Sequence, residues 1–169
     1  LCANLVASKS RAFLPFRIWN LNGVTVAVTA VLGGTAAPGD APIRAFVKLE
    51  DAGATLARTV RDLRPVADVT LMFAHVGREE ALRLARTVAG IDVLVAGHTG
   101  VHAGGIERLG RTTYVDVGER GHRVGHVRVT PGSDARGTSI PQVEAALIPI
   151  LPDLPAAPEW DARVRGNRR

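Results

Sequence analysis

Two largely apolar runs, residues 66–74 and 91–96, flank one segment with helical spacing, and nothing else in the chain constrains its fold as strongly. A strand with no polar alternation is buried on both faces, as in a parallel sheet covered by helices. Between the runs, over residues 78–88, Ala81, Leu84 and Val88 recur at helical intervals. Ahead of them, over 50–63, Ala52, Leu56, Val60 and Leu63 form another apolar stripe. Asp51 stands where a carboxylate suits a helix N-terminus, and Pro65 ends that helix. Helices alternating with buried strands over short connections predict an α/β fold with right-handed βαβ crossovers.

The flanking regions read differently. Residues 2–6 are apolar and suggest a buried strand at the front of the chain. Residues 13–21 and 24–32 are rich in β-formers and separated by Asn22-Gly23, a dipeptide that tolerates positive φ and predicts a hairpin. Residues 33–42 are rich in Gly, Ala and Pro and predict a loop. Beyond Gly97, residues 112–117 and 123–130 suggest an antiparallel strand pair joined through Gly118–Gly121. From Pro131 the periodicity fades into a Pro-, Gly- and Arg-rich tail, with a short helix predicted near 142–148. The expected organisation is a folded unit over 1–130 and a partly irregular tail over 131–169.

Length and composition exclude several classes. At 169 residues, 46% apolar and 22% charged, the chain has globular composition and room for one domain. No apolar run reaches the ~18 residues of a spanning helix. The lone cysteine, Cys2, forms no internal disulfide and leaves the redox compartment open. Net charge is +5, and all but Lys9 and Lys48 of the 21 basic residues are arginine. They are scattered, clustering only at Arg163, Arg165, Arg168 and Arg169, with no interleaved aromatics to stack bases. Nucleic acid is therefore not an expected partner. The chain begins at Leu1 without a recognisable signal peptide, and is read as a piece of a longer polypeptide.

Chemistry-bearing residues fall where parallel sheets place active sites, just past the carboxyl ends of their strands. His75 follows Val69-Thr70-Leu71-Met72-Phe73-Ala74, and His98 follows Val93-Leu94-Val95-Ala96-Gly97. If the strands are neighbours, both imidazoles project from one sheet edge and can bind a first-row transition metal. The alternative is a pair of solvated loop side chains.

The segments around these histidines, ADVTLMFAHVG over 67–77 and GIDVLVAGHTG over 90–100, resemble the back half of the calcineurin-like metallophosphoesterase domain. The likeness is to its 5'-nucleotidase and cyclic-phosphodiesterase branch, which has an apolar strand ending in a ligand histidine, then a helix, then "GID-apolar-apolar-x-GH-x-H". Ala3-Asn4-Leu5, the Asn22-Gly23-Val24 turn and Leu49-Glu50-Asp51 agree in order and spacing, so the resemblance covers residues 1–130. It implies a partial metallophosphoesterase sandwich, with a mixed sheet and a C-terminal antiparallel strand pair. It further implies a dinuclear site of divalent ions, zinc, manganese or similar, that hydrolyses a nucleotide or other phosphoester. His75 and His98 match two ligands of one metal. The family's location implies the cell envelope, periplasm or extracellular space.

Departures from the family pattern limit that expectation. The Asp-x-His, bridging Asp and Gly-Asn-His motifs precede the Ala-Asn-Leu strand in the family and are absent here, and with them goes the family's proposed catalytic histidine. The second histidine of "GH-x-H" is Gly100, and His102 two residues on is a candidate replacement. Two histidines are too few for a zinc site of four ligands, so the chain alone is expected to bind metal weakly, if at all, and to be inactive without its N-terminal half. A non-catalytic binding or structural module on a degenerate version of the fold is the alternative. His122 and His126 are spaced by four but lie in an alternating strand pattern, so they are read as solvated. Cys2, Ser133 and Ser139 lack a nucleophile setting, and Gly33-Gly34 and Gly104-Gly105 lack that of a phosphate loop.

Overall fold

The two apolar runs form adjacent parallel strands at the centre of a six-stranded sheet. A computed structural model of the chain describes residues 1–7, 13–33, 47–135 and 137–151. Most of the expected 33–42 loop, the arginine cluster and the chain beyond 151 lie outside these residues. Along the chain come β1 (Leu5–Ala7), β2 (Phe16–Leu21), β3 (Val24–Leu32), β4 (Val47–Leu49) and α1 (Ala52–Leu63). After a short 3-10 turn over Arg64–Val66 follow β5 (Val69–His75), α2 (Arg78–Thr87) and β6 (Val93–Gly97). The last four strands are β7 (Gly105–Leu109), β8 (Thr112–Asp116), β9 (Arg123–Thr130) and β10 (Gln142–Pro149).

The large sheet has the order β2-β3-β5-β6-β8-β7, with β3, β5, β6 and β8 parallel and both edge strands antiparallel to their neighbours. Asn22 and Gly23 take φ of 53° and 86°, so the β2–β3 turn uses the positive φ expected of that dipeptide. Asp51 caps α1, its side chain accepting from the Ala54 N–H at 2.7 Å. Ala52, Leu56, Val60 and Leu63 are all buried, as the stripe predicted. Leu56, Val60, Leu84, Met72, Leu94 and Tyr114 are fully enclosed between the helices and one sheet face. Each such aliphatic side chain stabilises the fold by about 1.5–3 kcal/mol.

The opposite sheet face is also apolar and only partly covered. β9 packs against one end of it, leaving an apolar hollow of about 330 Å³ bounded by Val26, Val69, Leu71, Val93, Val127 and Val129. Gly125 of β9 comes so near that an added Cβ would stand 2.8 Å from a Val117 methyl. Leu21 at the rim of the hollow is exposed, as are Trp19, Phe73 and Ile106 elsewhere on the sheet.

The sequence-based expectations need correction in four places. Residues 112–117 and 123–130 do not pair with each other: β8 lies between β6 and β7, while β9 pairs with β10. Every residue of β8 is buried, which requires partners on both sides, and β7 supplies one of them. Gly105 opens β7. Residues 142–148, expected as a short helix, are strand: Val143, Ala145 and Leu147 alternate with more exposed neighbours. The helix-forming character of Ala and Leu yields there to pairing with β9 across eight register positions. Residues 13–15 and 66–68 fall outside the strands predicted to contain them.

Candidate metal centre

β5 and β6 run in parallel register with His75 opposite Gly97, so the chain delivers His98 one residue beyond the strand end that carries His75. The ring centroids are 4.8 Å apart, with planes inclined at 33°. Both residues are exposed. A Cβ added at Gly97 would lie 3.9 Å from His75 Nδ1, an ordinary contact. His98 has φ of 63°, a left-handed conformation uncommon for a residue with a side chain. It turns the chain sharply at the sheet rim.

The backbone beneath the pair is fixed on three sides. The Gly33 N–H donates to the His75 carbonyl at 2.9 Å, and the Val76 N–H donates to the Gly97 carbonyl at 3.1 Å. Asn4 secures the first of these from behind. Fully buried, it donates to the Leu32 and Glu50 carbonyls at 2.8 and 3.0 Å and accepts from the Leu32 N–H at 2.9 Å. Its side chain therefore joins the end of β3, which is in register with His75, to the approach to α1. Sequence reasoning noted Asn4 as part of a motif but not this role. A lone amide in an apolar segment was the available signal, since buried amides must be satisfied.

Asp116 places a carboxylate at this end of the sheet, and it too escaped notice in the sequence. It is buried, accepts from the Gly118 N–H at 2.8 Å and from the Tyr114 hydroxyl at 3.4 Å, and lies 4.0 Å from Arg78. Arg78, the first residue of α2, also pairs with Glu107 at 2.6 Å. Burial, with the Asp116 charge beside it, pushes the Tyr114 hydroxyl up to about 12. In β8 the side chain of Asp116 shares the parity of Tyr114, on the helix-covered face.

A metal ion about 2.1 Å from an imidazole nitrogen stands about 3.2 Å from the ring centre, so two imidazoles on one ion have centroids about 5 Å apart. The His75–His98 spacing fits that value. These residues could therefore supply two ligands of one divalent ion. Among the described residues, no three His, Cys, Asp or Glu side chains are already gathered at one such point. His102, the candidate replacement at Gly100, instead stands against His122, centroids 5.4 Å apart, and near Glu119 at 3.9 Å. His126 is exposed on β9.

The other end of the same strands carries the GID motif. Asp92 is buried and accepts from the Thr70 N–H and from Arg64, both at 2.8 Å. Burial pushes its carboxyl above the usual range, against the lowering effect of those two donors. Arg64 and Arg111 both donate to the Ser139 carbonyl, and the Ser139 hydroxyl donates to the Asp68 carbonyl. Ser139 thus holds the chain entering β10 against the sheet.

No family model matches the sequence, and no curated protein matches it significantly. Solved structures do. Thermus thermophilus sulfate thiohydrolase SoxB superposes with a TM-score of 0.82 at 20% identity, over 98% of this chain and 31% of its own. A 5'-nucleotidase precursor from Thermus thermophilus gives 0.74 at 18% identity, over 99% of this chain and 36% of its own. The calcineurin-like phosphoesterase YfkN from Bacillus subtilis gives 0.76 at 16% identity, over 99% and 60%. The chain thus spans about a third of the length of the first two.

The fold these likenesses define is that of the calcineurin-like phosphoesterases, present in part. The chain is similar to a 5'-nucleotidase precursor, as the two histidine segments implied, and also to SoxB.

Proposed function

We propose that the chain is the C-terminal part of the catalytic domain of a metal-dependent phosphoester hydrolase of the 5'-nucleotidase type. His75 and His98 hold one divalent ion, zinc, manganese or similar, and the remaining ligands come from an N-terminal half. The observation that carries this reading is the 4.8 Å approach of two imidazoles at the carboxyl ends of adjacent parallel strands. The exposed apolar sheet face leading up to them, with Phe73 two residues before His75, supports a second sheet packing there. Bound metal would neutralise phosphate oxygens and lower the pKa of an attacking water. The histidines' part is to hold that ion at the sheet rim, against a nucleotide or other phosphoester substrate. Alone, the chain binds metal weakly and does not hydrolyse phosphoesters at useful rates, because two imidazoles make half a coordination shell. The reading also carries a cell-envelope, periplasmic or extracellular location.

One observation favours a second reading, a binding or structural module. Gly100, in place of a family histidine, has φ of +68° and open space around its Cβ direction. A side chain there would take the same uncommon left-handed φ as His98, a conformation that glycine adopts freely. Metal analysis and hydrolysis of a chromogenic phosphoester, for this chain and for a longer protein carrying the sequence upstream in its reading frame, separate the two. The enzyme reading expects activity and two bound ions in the longer protein. Absence of both supports the module.

A further inference from the structure

We propose that Arg78 and Asp116 are positioning residues: their contact braces the start of α2, just past His75, against the loop that follows His98, and so sets the spacing of the two imidazoles. This rests on the reading of His75 and His98 as ligands of one ion. Asp116 ends β8, in register with Ala96 of β6, two residues before His98. Its Oδ1 accepts from the Gly118 N–H at 2.8 Å, while Oδ2 lies 3.4 Å from the Tyr114 hydroxyl and 4.0 Å from Arg78 Nη1. Arg78 Nη2 meets Glu107 of β7 at 2.6 Å, and its guanidinium carbon stands 5.8 Å from the centre of the Tyr114 ring. A planar guanidinium can address two carboxylates at once in this way, and the ring face adds to the attraction.

The brace reaches both histidine-bearing segments. On one side only Val76 and Gly77 separate Arg78 from His75, and the Val76 N–H donates to the Gly97 carbonyl at 3.1 Å. On the other side the chain after His98 runs to Gly104, which lies against the Asp116 carbonyl. A Cβ at Gly118 would stand 2.5 Å from the His102 carbonyl oxygen, so the turn that Asp116 fixes touches the loop over residues 98–104 main chain to main chain. His98 needs such support, because a side-chain-bearing residue at φ of 63° keeps that conformation only where its surroundings hold it. Asp116 is only 1% exposed, and a buried carboxylate that loses its cation is costly, so the brace does not open freely.

The test is ring-to-ring NOE spectroscopy of the metal-free full chain, followed by zinc titration. In the unaltered chain the His75 and His98 rings, 4.8 Å apart, give a cross-peak. Arg78→Ala weakens that cross-peak and lowers zinc affinity about tenfold, as loss of groups that orient metal ligands does. Arg64→Ala, at the amino end of the sheet, lowers the urea midpoint and leaves both readouts unchanged, which is also what a merely structural Arg78 would do. Arg78→Lys keeps a charge beside Asp116 without the two-pronged reach, gives values between those of Arg78→Ala and the unaltered chain, and stands in should Arg78→Ala not fold. An Arg78 variant that matches the unaltered chain in both readouts, or an Arg64→Ala protein with the same losses, overturns the proposal while the metal reading survives. A cross-peak that depends on Arg78 in a chain that zinc does not bind supports the brace and overturns the metal reading. Absence of the cross-peak from the unaltered chain overturns both.

Discussion

The two ends of β5 and β6 use polar residues in opposite ways. At the amino end, Asp92, Arg64 and Ser139 are bonded to one another or to main chain, and the Asp92 side chain is only 5% exposed. At the carboxyl end, His75 and His98 face each other with exposed side chains. A polar group buried and satisfied holds a fold together, and an exposed imidazole pair has lone pairs to offer a ligand. Motif residues of one family resemblance therefore divide into structural and chemical roles by their position along the strand.

Removing Asp92 should have the largest effect on stability. Asp92→Ala leaves the Thr70 N–H without its acceptor and takes the carboxylate from Arg64, which keeps the Ser139 carbonyl, and the expected cost is about 3–5 kcal/mol in urea unfolding. A cost below about 1 kcal/mol would remove the structural role assigned to that end. Next is Asn4→Ala, which leaves the Leu32 N–H unpaired inside the protein and should cost about 1–3 kcal/mol. It should also weaken metal binding, because Asn4 secures the segment that holds the His75 carbonyl.

Tyr114 tests burial near the carboxyl end through pH. As the chain's sole tyrosine, it gives an unmixed tyrosinate absorbance signal. Folding raises its pKa from 10.0 to about 12, so the protonated form is favoured in the native state. Its contribution to stability is complete below pH 10 and is lost as pH rises through about 12. A native-state midpoint at 10.0 would show that the ring is not enclosed. The smallest stability effect belongs to His75→Ala, expected within about 0.5 kcal/mol in urea unfolding because the side chain is exposed.

How much was legible in the sequence follows from the same contrast. Largely apolar runs cannot be solvated on either face, so β5 and β6, their crossover and the meeting of His75 with His98 could be read from order alone. The strands after Gly97 could not. Several are short and separated by glycine turns such as Gly110 and Gly118, and which neighbour each one pairs with depends on burial from distant segments. β10 misled because Ala145, Ala146 and Leu147 favour helix locally, while pairing with β9 decides their conformation. Asn4 and Asp116 were hidden for a related reason: a buried polar residue is recognised by its partners, which are distant in the chain in the case of Asn4.

The central claim is that His75 and His98 grip one ion. Zinc titration of the full chain, followed by histidine-ring NMR, tests it most directly. Both His75 and His98 signals should move along one saturation curve, to one equivalent of zinc. Movement of only one ring, or of neither at saturating zinc, would contradict the shared site.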